Sequence, residues 1–313
     1  MPYVVLPAAT QAERLAVARA RWDAILAVRP DLEPAIALQR SLIEPVIELA
    51  ETLHQTRLPR LSLPPRYVAA KLGKRIPALA AEPIPMPTAT LKPTLLKLCQ
   101  NLAEGGGGQP ASQIHATLDA GTMDAGAVLG ASLARDQKAI KIGAVHRNLQ
   151  SELVWLVAEL AVSPFVYALQ QVLLGEPGGH LDQALRSALD AWQQGYCPIC
   201  GSWPALIESL NDRSILRCSF CALAWTLADP GCIYCGDIGP TFVTAAPDER
   251  RPDRRLETCG KCRSYVKAID VDELSPFPLG AIGDLETMDL DMKAMKQGFQ
   301  RPATKVFAAS KPI

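Results

Sequence analysis

The spacing of apolar residues divides the chain into a helical part and a strand-rich part. Over residues 10–28, Leu15, Ala18, Trp22, Ile25 and Leu26 recur at helical spacing, while Arg14, Arg19, Arg21 and Asp23 lie off that stripe. This is the pattern of an amphipathic helix. A second helix is predicted to start at Asp31, an N-cap residue followed closely by Pro34, and to run through Ile36, Leu42, Ile43, Val46, Ile47 and Leu53 with a kink at Pro45. The two should pair as an antiparallel hairpin. Eight prolines between Pro59 and Pro93 then interrupt the pattern and leave room for one short helix near residues 67–72. The helical period resumes over 91–103 and stops at the glycines 105–108, which predict a surface loop; with no preceding strand and no following Lys-Ser or Lys-Thr, they do not form a phosphate loop. Further helices are predicted over 112–119, 123–133, 148–174 with a break near Pro164, and 181–194.

After Gly195 the period shortens. Strand-like runs at 205–210, 214–217, 241–244, 255–258 and 264–269 alternate with cysteine pairs and turn residues. A last helical stripe, Ile282, Leu285, Met288, Met292 and Met295, predicts one C-terminal helix over 282–299 packing back onto the body. The fold expectation is therefore multi-domain α and β: an all-helical domain over 1–194, two small β modules over 195–229 and 230–273, and a C-terminal helical segment over 274–313.

Composition agrees with the helical majority, since the 313 residues are 49% hydrophobic but only 5% aromatic, an apolar share dominated by Ala and Leu. Lys plus Arg equals Asp plus Glu at 32 each, so no overall field gathers nucleic acid or anionic lipid. The opening residues lack the basic and apolar regions of a secretory signal, which predicts a cytoplasmic protein. The apolar run 153–174 carries Glu159, Pro164, Gln170 and Gln171 and is expected to be a buried core helix without membrane insertion.

The chemistry lies in four Cys-x-x-Cys pairs within 66 residues: Cys197 and Cys200, Cys218 and Cys221, Cys232 and Cys235, Cys259 and Cys262. Two thiolates three positions apart can reach one ion from a tight knuckle turn, and two knuckles complete a tetrahedron. The first and third pairs are each followed by Gly, then by a strand, a polar turn and a return strand into the next pair. This repeat gives Cys197, Cys200, Cys218 and Cys221 to one metal and Cys232, Cys235, Cys259 and Cys262 to another; a crossed arrangement is the alternative. Disulfides would need an oxidising compartment, and none of the pairs ends a strand in a βαβ unit as thioredoxin chemistry requires. Four-sulfur sites suit zinc or a single iron, and by base rate zinc is commoner. Because such sites are closed, no catalytic residue is predicted. Cys99, within a helical pattern, is expected to be an inert buried thiol, and His54, His115, His146 and His180 are scattered and expected to be structural.

The stretches CPICGSWP, ILRCSFCALAW, CIYCG, ETCGKCRSYVKAIDVDE and GDLETMDLDMKAMKQGF resemble the formate dehydrogenase accessory protein family, FdhE. Trp225 matches a tryptophan that follows the family's second knuckle, and Tyr265 a tyrosine after the last; SPFVYALQQVLL carries a weaker likeness. The resemblance implies a helical domain joined to two rubredoxin-like, zinc-ribbon-like modules, two metal ions with iron favoured over zinc, and a non-enzymatic assembly factor. It also implies the catalytic subunit of a formate dehydrogenase as partner. Only the eight cysteines carry over as ligands. The competing reading is a zinc-ribbon nucleic-acid-binding protein, drawing on Arg250, Arg251, Arg254, Arg255, Lys261 and Arg263, but the same segment, 195–273, holds 11 acidic residues, and a solvated face that balances anionic metal sites explains those charges better, with no nucleic acid as partner. Arg57, Arg60, Arg66, Lys71, Lys74 and Arg75, a stretch with no acidic residue, form a candidate partner contact.

Overall fold

The computed structural model describes residues 3–4, 6, 9–56, 63–175, 181–246, 248–305 and 307. Among them the helices are α1 (Gln11–Val28), α2 (Glu33–Gln55), α3 (Pro65–Gly73), α4 (Thr88–Leu102), α5 (Gly108–Asp119), α6 (Ala125–Leu133), α7 (Gln137–Val145), α8 (Ser151–Leu174), α9 (Gln183–Asp190), α10 (Gly280–Glu286) and α11 (Met288–Lys296). The strands are β1 (Tyr3–Val4), β2 (Pro204–Leu210), β3 (Arg213–Cys218), β4 (Ala224–Trp225), β5 (Phe242–Ala245), β6 (Arg254–Cys259) and β7 (Ser264–Asp270). The chain forms two compact units. The sheet unit gathers Met1–Ala8, Leu63–Ala80 and Leu174–Lys305, and the helical unit gathers Ala9–Ser62, Ala81–Leu173 and Val306–Ile313.

In the helical unit, α1 starts where its sequence says it should. Thr10 caps it, its hydroxyl accepting from the Glu13 N–H while the Glu13 carboxylate accepts from the Thr10 N–H, a reciprocal capping box. The start of α2 differs from expectation: Asp31 lies in a 3₁₀ turn, Pro30–Leu32, and pairs with Arg29 instead of capping the helix. Prolines break neither long helix. Pro45 cannot donate to the Ser41 carbonyl, and the Asn101 side chain does so instead; Pro164 cannot donate to the Leu160 carbonyl, and the neighbouring Ser163 hydroxyl does. With both orphaned carbonyls satisfied, the cost of an internal proline falls and α8 stays continuous. By length and composition α8 could cross a membrane, but Val154, Val157, Ala161, Phe165 and Leu169 along it are fully buried, as a core helix requires. The glycines 105–108 interrupt the helical path between α4 and α5 at the surface: Gly106 and Gly108 take positive φ, 122 and 49°, and a Cβ on Gly105 would lie 2.5 Å from the Leu38 side chain of α2.

In the sheet unit all seven strands join one sheet in the order β1-β4-β3-β2-β7-β6-β5. Two three-stranded antiparallel repeats, β2-β3-β4 and β5-β6-β7, meet head to tail where β2 pairs with β7 in parallel. Asn211 and Asp212, both at positive φ, make the two-residue turn from β2 to β3, the geometry that fits strand twist. The expected boundary at 194/195 is not where this unit begins. Helices α3 and α9 belong to it, because the N–H groups of Ala78 and Leu79 donate to the Pro198 and Ile199 carbonyls and the Tyr196 hydroxyl donates to the Arg75 carbonyl. These bonds tie residues 63–80 to the first cysteine knuckle.

One face of the sheet carries α10 and α11. The predicted single C-terminal helix is broken at Thr287, where the ammonium of fully buried Lys267 of β7 donates to the Asp284 carbonyl at 2.7 Å and pairs with the Asp284 and Asp291 carboxylates at 2.8 and 2.6 Å. A cation at the end of α10 takes up carbonyls that would otherwise continue the helix. Arg301 bridges the same two aspartates. Beside them, Glu208 and Arg217, both buried, form an ion pair at 2.9 Å, and Glu208 also accepts from the Ser275 N–H, so neither of these two charges stands alone.

Candidate metal centres

Each cysteine pair sits in a short loop at a strand end. The Cys197, Cys218 and Cys232 N–H groups donate to the carbonyls of Ser202, Leu223 and Asp237, each at 2.9 Å, five residues on. The residue after each pair's second cysteine is left-handed: Gly201, Ala222, Gly236 and Arg263, at φ 80, 55, 72 and 58°. This explains the Gly of CPICG and CIYCG, since glycine adopts that backbone without penalty. The N–H groups of Phe220 and Cys221 donate to Cys218 Sγ at 3.4 Å each, so a knuckle supplies amide donors as well as sulfur.

The eight sulfurs gather in sequence order, not in the crossed alternative. Cys197, Cys200, Cys218 and Cys221 form one group and Cys232, Cys235, Cys259 and Cys262 the other, with all sulfurs in a group within 4.8 Å of one another. In the first, Cys197 and Cys221 Sγ are 3.6 Å apart and Cys200 and Cys218 Sγ 3.3 Å apart; in the second, Cys232 and Cys262 are at 3.6 Å and Cys235 and Cys259 at 3.7 Å. A tetrahedron with metal–sulfur bonds of about 2.3 Å has edges of about 3.8 Å. The shortest sulfur pairs stand within about 0.5 Å of that edge and every pair in a group lies within 4.8 Å, so each group could hold one metal ion.

Sulfur packing this close polarises the thiols. In the first group burial, reinforced by neighbouring thiols, pushes Cys197 and Cys221 well above the ordinary range. Burial also acts on Cys200, but hydrogen bonds from the three other thiols and Ser202 outweigh it and bring Cys200 well below. In the second group burial raises Cys232 and Cys235, whereas Cys262 is lowered because Ser264 and two neighbouring thiols overcome its burial. Cys200 and Cys262 are thus lowered, one in each group. Both lowered sulfurs belong to a Cys-x-x-Cys-x-Ser stretch, CPICGS and CGKCRS, a shared signal absent from the other two knuckles that cysteine spacing alone does not carry.

The groups differ in exposure. All four cysteines of the first are buried, while in the second Cys235 is exposed and Cys262 half-buried. They are tightly coupled nonetheless. A Cβ on Gly195, just before the first knuckle, would lie 1.8 Å from the Ile233 carbonyl of the third, a position only glycine can fill. Trp203, after the first knuckle, stacks edge-on at 5.0 Å with Tyr234 inside the third.

The remaining candidates fall elsewhere. His54, His115 and His146 join neither group, and His180 lies outside the described residues. Cys99 is fully buried in α4, its thiol pushed up to about 12 by burial. Trp225 and Tyr265 are core residues: the Trp225 indole donates to the Gln194 carbonyl and the Tyr265 hydroxyl to Asp291. Of the stretch 57–75, Arg57 and Arg60 lie outside the described residues, Arg66, Lys74 and Arg75 are exposed, and Lys71 is buried, its ammonium donating to the Ala78 and Ala80 carbonyls. Lys71 is therefore a structural cation and not part of a contact surface.

No family profile matches the chain. Curated relatives do. The chain is 30% identical over 115 residues to an FdhE homologue of Aquifex aeolicus, 35% of this chain and 40% of the relative, and 35% identical over 112 residues to one of Shewanella strain MR-4, 34% of this chain and 36% of the relative. Against protein FdhE of Escherichia coli O127:H6 it is 25% identical over 149 residues, 46% of this chain and 47% of that protein. Over these stretches the chain is similar to FdhE proteins. Its matches span less than half the length of these relatives. In fold, the crystal structure of the FdhE protein from Pseudomonas aeruginosa matches 99% of both chains with a TM-score of 0.56 at 18% identity, so the FdhE architecture extends over nearly the whole chain.

Proposed function

We propose that this chain is a cytoplasmic accessory protein of formate dehydrogenase maturation. In this reading each four-cysteine group holds one metal ion, iron in the rubredoxin manner with zinc able to take its place, and the protein binds the catalytic subunit without turnover of its own. The observation that carries it is the pair of sequential sulfur tetrahedra in a chain similar to FdhE proteins. Each uses four protein sulfurs and leaves no open position for water, which argues against metal-assisted hydrolysis. The nucleic-acid reading loses its support in the same hairpin. Arg251 pairs with Asp253, Arg254 with Glu286, Arg255 with Asp270 and Lys261 with Asp237, while the Arg263 guanidinium stacks on Phe299. Those cations are spent within the fold instead of forming a phosphate-binding stripe.

Removing the gene is expected to abolish formate dehydrogenase activity while leaving its transcript intact, and tagged protein should recover the catalytic subunit, less well when a knuckle cysteine is replaced. Unchanged activity with no subunit recovered would sink the assignment. The metal is decided by colour, because iron(III) in four thiolates absorbs visible light strongly and zinc does not. Colourless, zinc-loaded protein after anaerobic purification from the native host would overturn the choice of iron.

A further inference from the structure

The β5 end of the sheet carries a cleft that the metal centres do not use. Its volume is about 410 Å³, and its apolar lining includes buried Ile207, Leu216 and Ile233 and half-buried Phe242. Three charged residues also line it: half-buried Glu257 and exposed Asp229 and Arg213. Among the described residues no side chain of the three makes a hydrogen bond or close ion pair, unlike the cations of the β5–β6 hairpin described above. A half-buried carboxylate beside apolar side chains loses hydration, and Glu257 receives in return only the field of Arg255, which is itself paired with Asp270. The cleft thus has an apolar floor and net negative charge, with its least solvated charge at Glu257.

The edge beside it is open as well. No strand pairs with the outer side of β5 among the described residues, and its sequence, Phe-Val-Thr-Ala, has none of the charges that usually guard an edge. The Gly260 N–H donates to the Thr241 carbonyl, and Thr244 stands opposite Glu257. By the alternation of antiparallel ladders, Thr241 and Gly260 form a bonded pair and Thr244 and Glu257 a non-bonded one. Thr244 therefore turns its N–H and C=O to the open side, while its side chain lies next to Glu257 on the cleft face.

We infer that β5 and this cleft bind an extended segment of a partner protein that adds as a strand beside Thr244 and sets a Lys or Arg side chain against Glu257 and Asp229. An added strand would lie two strand spacings, about 10 Å, from β6, within the combined reach of a long basic side chain and a glutamate. Main-chain pairing would supply affinity and the cleft would select the side chain, the division of labour of strand addition. The inference rests on the accessory reading only for the identity of the partner.

The test uses full-length, metal-loaded protein and two generic capped peptides, Val-Lys-Val-Lys-Val and Val-Glu-Val-Glu-Val, followed by calorimetry and amide hydrogen exchange. The lysine peptide should bind at least about tenfold more tightly than the glutamate peptide, E257Q should remove about tenfold of that affinity, and the Thr244 amide should exchange more slowly in the complex. T244P should abolish binding; were that variant to misfold, the exchange measurement on native protein decides the edge. Equal binding of both peptides, no effect of E257Q, or no binding at about 1 mM peptide would overturn the inference. Butylammonium binding as tightly as the lysine peptide would also overturn it, by making the cleft a small-amine site with no strand added. Because the peptides are generic, failure here leaves the formate dehydrogenase reading intact, and failed recovery of the catalytic subunit leaves this one intact.

Discussion

The two sulfur cages share one knuckle design and differ in what surrounds it. Cys197, Cys200, Cys218 and Cys221 lie within the core of the sheet unit, whereas the second cage opens to solvent through Cys235 and Cys262. Knuckle geometry sets what can be bound, and burial sets how readily it leaves. A closed cage must lose packing before a ligand can dissociate; an open one can exchange a ligand with water or a competing thiol.

Removing a ligand from the buried cage should have the largest effect. Cys197→Ala is expected to weaken its metal by more than about 100-fold, beyond what losing a supporting group costs, and elemental analysis should fall from two metals per chain towards one. Loss of both would break the comparison and make the cages one cooperative unit. Next comes the contact that couples them. Gly195→Ala drives a Cβ into the Ile233 carbonyl, and a destabilisation of about 3 kcal/mol, the upper end of overpacking, should appear in thermal melting together with faster metal loss from the second cage. A smaller difference concerns rate alone. Under excess chelator, the wild-type protein should release its second-cage metal roughly tenfold sooner than its first, with the Cys197→Ala variant identifying which phase is which; equal rates would show that exposure of Cys235 does not control exchange. The smallest is a control in the other unit: Thr10→Ala should cost the helical unit about 1 kcal/mol and leave metal content and release unchanged.

What the sequence disclosed and what it concealed follow from the range of the interactions. Cys-x-x-Cys spacing, the apolar stripe of 10–28 and the strand-like runs 205–210 and 264–269 act over a few residues, so the cages, α1, and β2 and β7 were legible. Helix α7 escaped because its nine residues repeat the apolar stripe only briefly. Pro164 misled because the group that rescues the Leu160 carbonyl, the Ser163 hydroxyl, matters only once the helix exists. The grouping of α3 with the sheet rests on bonds from Ala78 and Leu79 to Pro198 and Ile199, more than a hundred residues away, and left no local mark. The exposure of Cys235 depends on its module lying at the β5 end of the sheet, a consequence of topology that spacing alone does not encode.

The parallel seam between β2 and β7 has a consequence for synthesis. Ile207 on one side faces Ala268 on the other, so a chain emerging from the ribosome exposes β2 before its partner strand has been made. During that interval the first hairpin has a bare edge, with the aggregation hazard that this carries. The first cage lies wholly within residues 197–221 and can close around a metal before β7 emerges. Early metal capture would then hold the nascent hairpin in register, and metal starvation during translation should increase insoluble protein more than metal removal after folding.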